Sequence, residues 1–299
     1  MDRIDIDRFR CTGCMRCARD CVAAALRQEQ GQVIVADPGS CTRCSHCLAV
    51  CPVNAVIHGG LDSSRVRPVK EDKILPQSFE TIVTGRRSIR QFKRRPLDRE
   101  TLTRLLNLAS VTPTASNSQH VSYTVITDPD TLGAISQKVF SIGVRAHRCF
   151  TTFPGSLVYR FMKHFAWSDT LSRYLDPMPY YMAESRRGRD YILHHAPALI
   201  LIQAPRGAKF GCENCNLAAA NIMNHAYALG LGTCYIGFLN LALAASSRLR
   251  RLAGVEKGRK AHACLVAGIP AYGHPSTAVR NLPKVTWVGP AHRNLETGV

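Results

Sequence analysis

Eight of the chain's thirteen cysteines lie between Cys11 and Cys51. They form two matching runs, Cys11-Thr12-Gly13-Cys14-Met15-Arg16-Cys17-Ala18-Arg19-Asp20-Cys21 and Cys41-Thr42-Arg43-Cys44-Ser45-His46-Cys47-Leu48-Ala49-Val50-Cys51. Both read C-x2-C-x2-C-x3-C, and the match continues to Ala25 and Ala55. Clustered cysteines in a reducing compartment are metal or redox ligands before they are disulfides. Zinc usually takes two separated C-x2-C pairs, so two identical four-cysteine runs fit it poorly. Three thiolates on a tight loop can instead reach three corners of one iron–sulfur cube. The fourth cysteine begins the next helical turn and points toward a neighbouring cube.

This spacing resembles that of the bacterial two-cluster ferredoxins. The paired loops exchange their fourth ligands. One [4Fe–4S] cluster is therefore expected on Cys11, Cys14, Cys17 and Cys51, and the other on Cys41, Cys44, Cys47 and Cys21. Val22 stands where Pro52 follows the second motif; this proline is not a ligand, so the first motif keeps its donors. Gln32–Val35 reads as a strand after Gly31, with Ile4–Ile6 as its counterpart and Ala55–Ile57 nearby. So short a segment builds little apolar core, and the clusters would supply most of its folding stability.

The elements around this segment divide the chain. At 299 residues the prior is about two domains. Residues 1 to 62 hold seven Arg and seven Asp or Glu, so the whole net charge of +18 lies in the remainder. That break in charge and cysteine content sets a ferredoxin domain at 1–60, a linker at 61–76 and a second domain at 77–299. Hydrophobic residues at 45% and charged residues at 20% are ordinary for a globular protein. The longest strongly apolar run, Ala196 to Ala204, is under half of the ~20 residues a membrane span needs. The amino terminus lacks an apolar signal region, so a cytoplasmic protein without a membrane partner is expected.

From Ser78 onward, helical and strand patterns alternate. Leu102, Leu105, Leu106 and Ala109 recur at helical spacing, and Leu217 to Ala228 forms a second helical pattern ended by Gly230 and Gly232. Val121 to Ile126, Ala198 to Ile202 and Ala263 to Gly268 read as strands, the last two buried. The class is α+β, with a central mixed sheet flanked by helices.

Four segments of this domain could bind a cofactor. Arg86-Arg87-Ser88-Ile89-Arg90-Gln91-Phe92 concentrates guanidiniums that match phosphate oxygens. Pro113-Thr114-Ala115-Ser116-Asn117-Ser118-Gln119 offers small hydroxyl and amide side chains. Gly230 to Gly237 is a glycine-punctuated turn, and Val266-Ala267-Gly268-Ile269-Pro270 closes the last strand ahead of Arg280. In this order and spacing, residues from about Ser78 to Val288 resemble the nitroreductase family of FMN-dependent oxidoreductases.

The resemblance implies a homodimer with FMN at the interface, held by both subunits. It implies FMN contacts from Arg86, Arg87, Ser88 and Arg90. Arg86 and Arg280 would be on phosphate, and Arg90 on the pyrimidine edge. Pro113, Thr114, Ala115 and Ser116 would line the ring, and Asn117 would hydrogen-bond it. Tyr235, Ile236 and Gly237 would pass near N5 through backbone groups. Many family members carry an acidic residue where Ile236 aligns, so that carboxylate's role is absent here, and His120 stands where proline is common. With no G-x-G-x-x-G after a strand, any NAD(P)H would stack directly on the FMN.

Other signals are weaker. Residues 141–192 are expected to form a lid or substrate region, rich in Arg145, His147, Arg148, Arg160, Lys163, His164, Arg173, Arg186, Arg187 and Arg189 and in Phe161, Phe165, Trp167, Tyr174, Tyr180 and Tyr181. Cys212 and Cys215 form a C-x2-C, but packing as small hydrophobes accounts for them better than a third metal site. Arg248, Arg250, Arg251, Lys257, Arg259 and Lys260 could dock an acidic ferredoxin or flavodoxin; with no nucleic-acid module present, a nucleic-acid partner is not expected.

The expected function is a flavin- and iron–sulfur-dependent oxidoreductase. Two single-electron deliveries from the clusters would reduce FMN, which would then reduce a small organic acceptor such as a nitroaromatic, quinone or activated alkene. The alternatives are the reverse flow, with NAD(P)H reducing FMN and the clusters exporting electrons, or a non-catalytic electron-transfer or redox-sensing protein. No side chain is singled out as a catalytic acid or base.

Overall fold

The computed structural model describes residues 4–68, 75–162, 175–278 and 280–288. The cysteine repeat is also a backbone repeat. Strand β1 (Ile4–Ile6) matches β3 (Gln32–Val35), and β2 (Leu26–Glu29) matches β4 (Val56–His58). β1 pairs antiparallel with β4, and β2 with β3. The β2–β3 hairpin turns at Gln30 and Gly31, both at positive φ (47° and 75°), the backbone a tight primed turn requires. One short helix follows in each half, α1 (Arg16–Arg19) and α2 (His46–Val50). Ala25 and Ala55, the last residues of the repeat, are both buried. The apolar core is small, with Ile4, Ile6, Met15, Leu26, Val33, Leu48 and Val56 at its centre.

A 3-10 turn, Ser63–Arg65, lies in the expected linker, and α3 (Pro76–Gly85) starts at its end. Helix α4 (Arg99–Ser110) is capped by Asp98, whose carboxylate accepts from Thr101 N at 2.6 Å. Strand β5 (Ser122–Ile126) leads into α5 (Pro129–Thr151). Asp128 both ends the strand and caps the helix, accepting from Thr131 N, and Pro129 takes the first helical position, where its missing N–H costs nothing. Helices α6 (Gly155–Met162) and α7 (Met178–Arg186), strand β6 (Ala198–Pro205) and helix α8 (Gly211–Ala228) follow. Strand β7 (Gly232–Tyr235), helices α9 (Gly237–Ala245) and α10 (Ser247–Leu252), and strand β8 (Arg259–Gly268) complete the domain.

The sheet order is β5-β6-β8-β7, antiparallel throughout. It becomes mixed at its edge, where Ser88 forms a parallel bridge to Thr233. Strand alternation divides the core into two layers. Leu199, Leu201, Cys264 and Val266 face Ile135 and Val139 of α5 and Leu239 and Leu243 of α9. Ala198, Ile200, Ile202, Ala263 and Leu265 face Leu105 of α4 and Cys215, Ala218 and Ile222 of α8. The expected strand at Ala198–Ile202 is thus β6, buried in the middle of the sheet, and extends to Pro205.

Helix α5 runs unbroken to Thr151, so the first part of the expected lid continues a core helix. Beyond it, the rings of Tyr180, Tyr181 and Tyr191 cluster in tilted and edge-on contacts, with centroids 4.7 to 6.0 Å apart. Glu184 is buried and pairs with Arg187 at 2.7 Å and Arg189 at 3.1 Å. Lys163, His164, Phe165, Trp167, Arg173 and Tyr174 lie outside the described residues. Among the described residues, no helix is long and apolar enough to cross a membrane.

Gly232 lets the Arg86–Phe92 segment lie against β7. A Cβ there would stand 2.6 Å from Ile89 Cγ1 and 2.8 Å from Ile89 Cβ. Gly232→Ala is therefore expected to destabilise the fold by about 1–3 kcal/mol through overpacking, seen as a lower urea midpoint. An unchanged midpoint would show that this contact relaxes freely.

Candidate functional site

The two halves of the repeat exchange cysteines. Cys11, Cys14, Cys17 and Cys51 line one cavity, walled by Ile6, Met15, Val33 and Val56. Cys21, Cys41, Cys44 and Cys47 line a second, beside Ile4, Leu26 and His58. The fourth cysteine of each run thus belongs with the first three of the other. Left-handed backbone recurs at matching positions to bend the loops: Gly13 and Arg43, Met15 and Ser45, Ala24 and Asn54. Only the glycine adopts it without a side-chain penalty, so the loop shape is imposed by what surrounds it.

The sulfurs repel charge as a group. Burial, with the neighbouring Cys44, Cys41 and Cys21 thiols, pushes Cys47 up to about 11. Burial, with Cys51 and Cys11, likewise raises Cys17. Iron cations bound among the sulfurs would remove that obstacle, since metal ligation stabilises the thiolate. Backbone donors already point at the sulfurs: Ala55 N to Cys51 Sγ at 3.1 Å and Arg43 N to Cys41 Sγ at 3.4 Å. Among the described residues, no three His, Cys, Asp or Glu side chains converge on a single-ion position. Four thiolates spread around an apolar-walled cavity are the donor set an iron–sulfur cube takes.

The second site is built on the sheet edge. Ile89 N donates to Thr233 O, Lys93 N to Ile269 O and Ala271 N to Gln91 O, each at 2.9 Å. Three of the four segments marked in the sequence therefore meet. They border a cavity of about 500 Å³ lined by Arg86, Arg87, Ile89, Tyr227, Thr233 and Tyr272, among others. The buried Thr233 hydroxyl has no hydrogen-bond partner within the protein, which suits a polar ligand there. Arg87 is engaged internally, donating to Thr84 O at 2.7 Å, Arg86 O at 2.6 Å and Ser276 O at 3.3 Å. It holds the segment in place and ties down residues 271–276.

Arg90 lies beside Cys234 and His194. Burial raises the Cys234 thiol, and Arg90 and Ser88 work against that rise. Burial lowers His194; Asp190 opposes the shift and Arg90 adds to it. Burial alone would raise Asp190. Its bonds from Ser136 Oγ and the N–H groups of Ile192, His195 and Leu193 outweigh that and hold it below the ordinary carboxylate range. Ile236 N donates to Cys264 O at 2.8 Å, so that group is engaged within the sheet, whereas Gly237, at the start of α9, is exposed. Arg280 is exposed beyond the 271–276 stretch.

The fourth segment lies elsewhere. Ala115–Asn117 is a 3-10 turn, with Ser116, Asn117 and Gln119 at φ of 51°, 49° and 47°. Thr114 Oγ1 accepts from Gln119 N at 3.0 Å, and Ala115 N donates to Oδ1 of the buried Asn214 at 3.1 Å. The Asn117 side chain, expected on a flavin, donates from Nδ2 to Thr42 O at 2.9 Å, inside the second cysteine loop. From Asn214, which holds this turn, to Tyr227, which lines the arginine cavity, α8 rises roughly 20 Å at 1.5 Å per residue.

Reading the sequence missed Asn214, Thr42 and His58. Asn214 sits inside the C-x2-C that drew attention to its neighbours: Cys215 is buried, its thiol pushed up to about 12 by burial, and Cys212 is exposed. Cys234 and Cys264 are buried among apolar side chains.

The comparisons agree with this division. The model of the nitroreductase family matches residues 83–269, and that of the 4Fe–4S dicluster domain matches residues 4–55. No curated protein matches the chain. Solved structures with a similar fold include a nitroreductase with bound FMN from Bacteroides fragilis, at 16% identity and a TM-score of 0.52, covering 71% of this chain and 98% of its own. An FMN-dependent nitroreductase from Clostridium difficile is 20% identical with a TM-score of 0.51, covering 72% and 100%. A nitroreductase with bound FMN from Desulfitobacterium hafniense is 16% identical with a TM-score of 0.52, covering 72% and 100%. From the match over most of the basic domain, with the cysteine repeat ahead of it, the chain belongs to the nitroreductase family of flavin oxidoreductases and joins that fold to an amino-terminal 4Fe–4S ferredoxin domain.

Proposed function

We propose that the chain is a homodimeric oxidoreductase in which two [4Fe–4S] clusters deliver electrons to FMN for the reduction of a small organic acceptor. The observation that carries this reading is the bond from Asn117 to Thr42, which joins an expected flavin segment to a cluster loop. Arg86 and Arg280 would hold the flavin phosphate, Thr233 would offer its unpartnered hydroxyl, and Arg90 would place positive charge at the pyrimidine edge. Arg87 supports the site rather than the phosphate, because its guanidinium already binds three carbonyls. A cavity of about 500 Å³ is within the usual range for a cofactor site.

The same geometry supports dimerisation. The arginine cavity and the 113–117 turn are separated by roughly 20 Å along α8. One flavin reaches both if the turn comes from a second copy. FMN supplies the exchange between single electrons and electron pairs. The protein holds its charge, places the clusters nearby and leaves room for a nitroaromatic, quinone or activated alkene. The basic residues Arg248, Arg250, Arg251, Lys257 and Lys260 suit an acidic ferredoxin or flavodoxin as donor. Reverse flow from NAD(P)H uses the same parts, and comparing electron donors separates the two.

The double variant Arg90→Ala with Arg280→Ala is expected to lose most FMN, measured as flavin released per chain; normal occupancy contradicts the assignment. Removing iron with an anaerobic chelator is expected to abolish amide-exchange protection in β1–β4 while β6 and β8 stay protected. Retained protection in both regions would show that the small core of the ferredoxin part stands without its clusters.

A further inference from the structure

We propose that the two clusters are not equivalent: the one on Cys21, Cys41, Cys44 and Cys47 is the flavin-side relay, and His58 raises its reduction potential above that of its partner. This rests on the reading that both cysteine sets hold clusters and pass electrons to FMN.

Two independent observations single out this set. Thr42 lies between two of its ligands and accepts the 2.9 Å hydrogen bond from Asn117, so this cysteine loop touches the turn expected to line the flavin. In addition, His58 Nε2 stands 3.3 Å from Cys41 Sγ. Its other ring nitrogen, Nδ1, accepts from Gly60 N at 3.1 Å. A backbone N–H can only donate, so Nδ1 carries no proton. The ring proton is then on Nε2, and His58 donates to the sulfur. His58 is 5% exposed, so water competes little for that bond. Hydrogen bonds to cluster sulfurs draw off negative charge and favour the reduced cluster.

The repeat provides the control. Both sets receive backbone donors, on Cys51, Cys14 and Cys17 in one and on Cys41 and Cys47 in the other, and Thr12 also reaches Cys14; what distinguishes the second set is the buried ring N–H of His58. The residue matching His58 in the first half is Gln28, which is exposed on β2. The two potentials therefore step upward toward the flavin. A one-electron donor of the ferredoxin or flavodoxin class is oxidised as the Cys11/Cys14/Cys17/Cys51 cluster takes its electron. That electron moves to the His58-side cluster and then to FMN. Two such deliveries and one proton give FMNH−. An acceptor of the quinone or alkene class then takes two electrons and two protons, one from FMNH− as hydride and one from solvent.

The test is a potentiometric titration of the full, cluster-loaded protein, followed by electron paramagnetic resonance, on wild type, His58→Phe and His58→Gln. Iron content is measured for each. Two distinct cluster midpoints are expected in wild type. In His58→Phe the higher one shifts negative and the lower stays in place. In His58→Gln, which keeps an N–H donor, the shift is partly restored. Equal midpoints in wild type, or two that ignore His58→Phe at full iron content, overturn the proposal. Absence of cluster signals in wild type overturns the underlying reading, and the proposal with it. For the positional half, Asn117→Gly removes the amide and tolerates positive φ. It is expected to slow flavin reduction by the reduced clusters several-fold per bound flavin, with cluster reduction by the external donor unchanged. An unchanged flavin rate would place the relay elsewhere.

Discussion

Among the described residues, a side-chain amide bridges the two parts of this molecule: Asn117 Nδ2 donates to Thr42 O. Electron transfer requires the cluster loops and the flavin fold to stay close, yet each part has its own core. The amide can reach Thr42 because Ser116 and Asn117 both adopt left-handed backbone, which side chains other than Asn, Asp and Gly seldom favour. That turn is held from behind by the buried Asn214. The next residues are held by Arg259, which donates to His120 O at 2.6 Å. A buried amide with both ends engaged is costly to replace, since its partners would be left unsatisfied. The joint is therefore anchored to α8 and β8, which both carry buried core residues.

Arginine has two different jobs in the basic domain. Arg87 faces a site rich in cationic side chains, yet its donors satisfy carbonyls and fix residues 271–276. Arg86 lines the cavity, and Arg90 lies beside Cys234. Counting guanidiniums in Arg86-Arg87-Ser88-Ile89-Arg90 therefore overstates the N–H donors offered to a phosphate, although Arg87 keeps its charge beside the cavity. Thr233 anchors the segment by its backbone, and its buried hydroxyl has no hydrogen-bond partner within the protein.

Much of this was legible in the sequence because it is local. The cysteine spacing implied the exchange of Cys21 and Cys51 between sets, and the two cavities contain those sets. The buried runs at Ala198–Ile202 and Ala263–Gly268 are the middle strands because only a strand covered on both faces is apolar at every position. The hairpin strand β2 was not legible: Leu26-Arg27-Gln28-Glu29 has little β character, and repeat symmetry with β4 is the signal that would have found it. Asn214, Thr42 and His58 were hidden for another reason. Each acts on a residue distant in sequence or through backbone atoms, where residue type carries little signal. His58 still left a trace, as a break in the repeat opposite Gln28.

The direction of electron flow through the joint decides whether the ferredoxin domain feeds the flavin or drains it. Anaerobic stopped-flow absorbance of the fully loaded protein, mixed separately with reduced ferredoxin, NADH and NADPH, measures it directly. With ferredoxin, bleaching of the cluster bands is expected to precede bleaching of the flavin band, with little response to either nicotinamide. Rapid flavin bleaching by NADH or NADPH, with the clusters following, would contradict the account and make the ferredoxin domain an outlet.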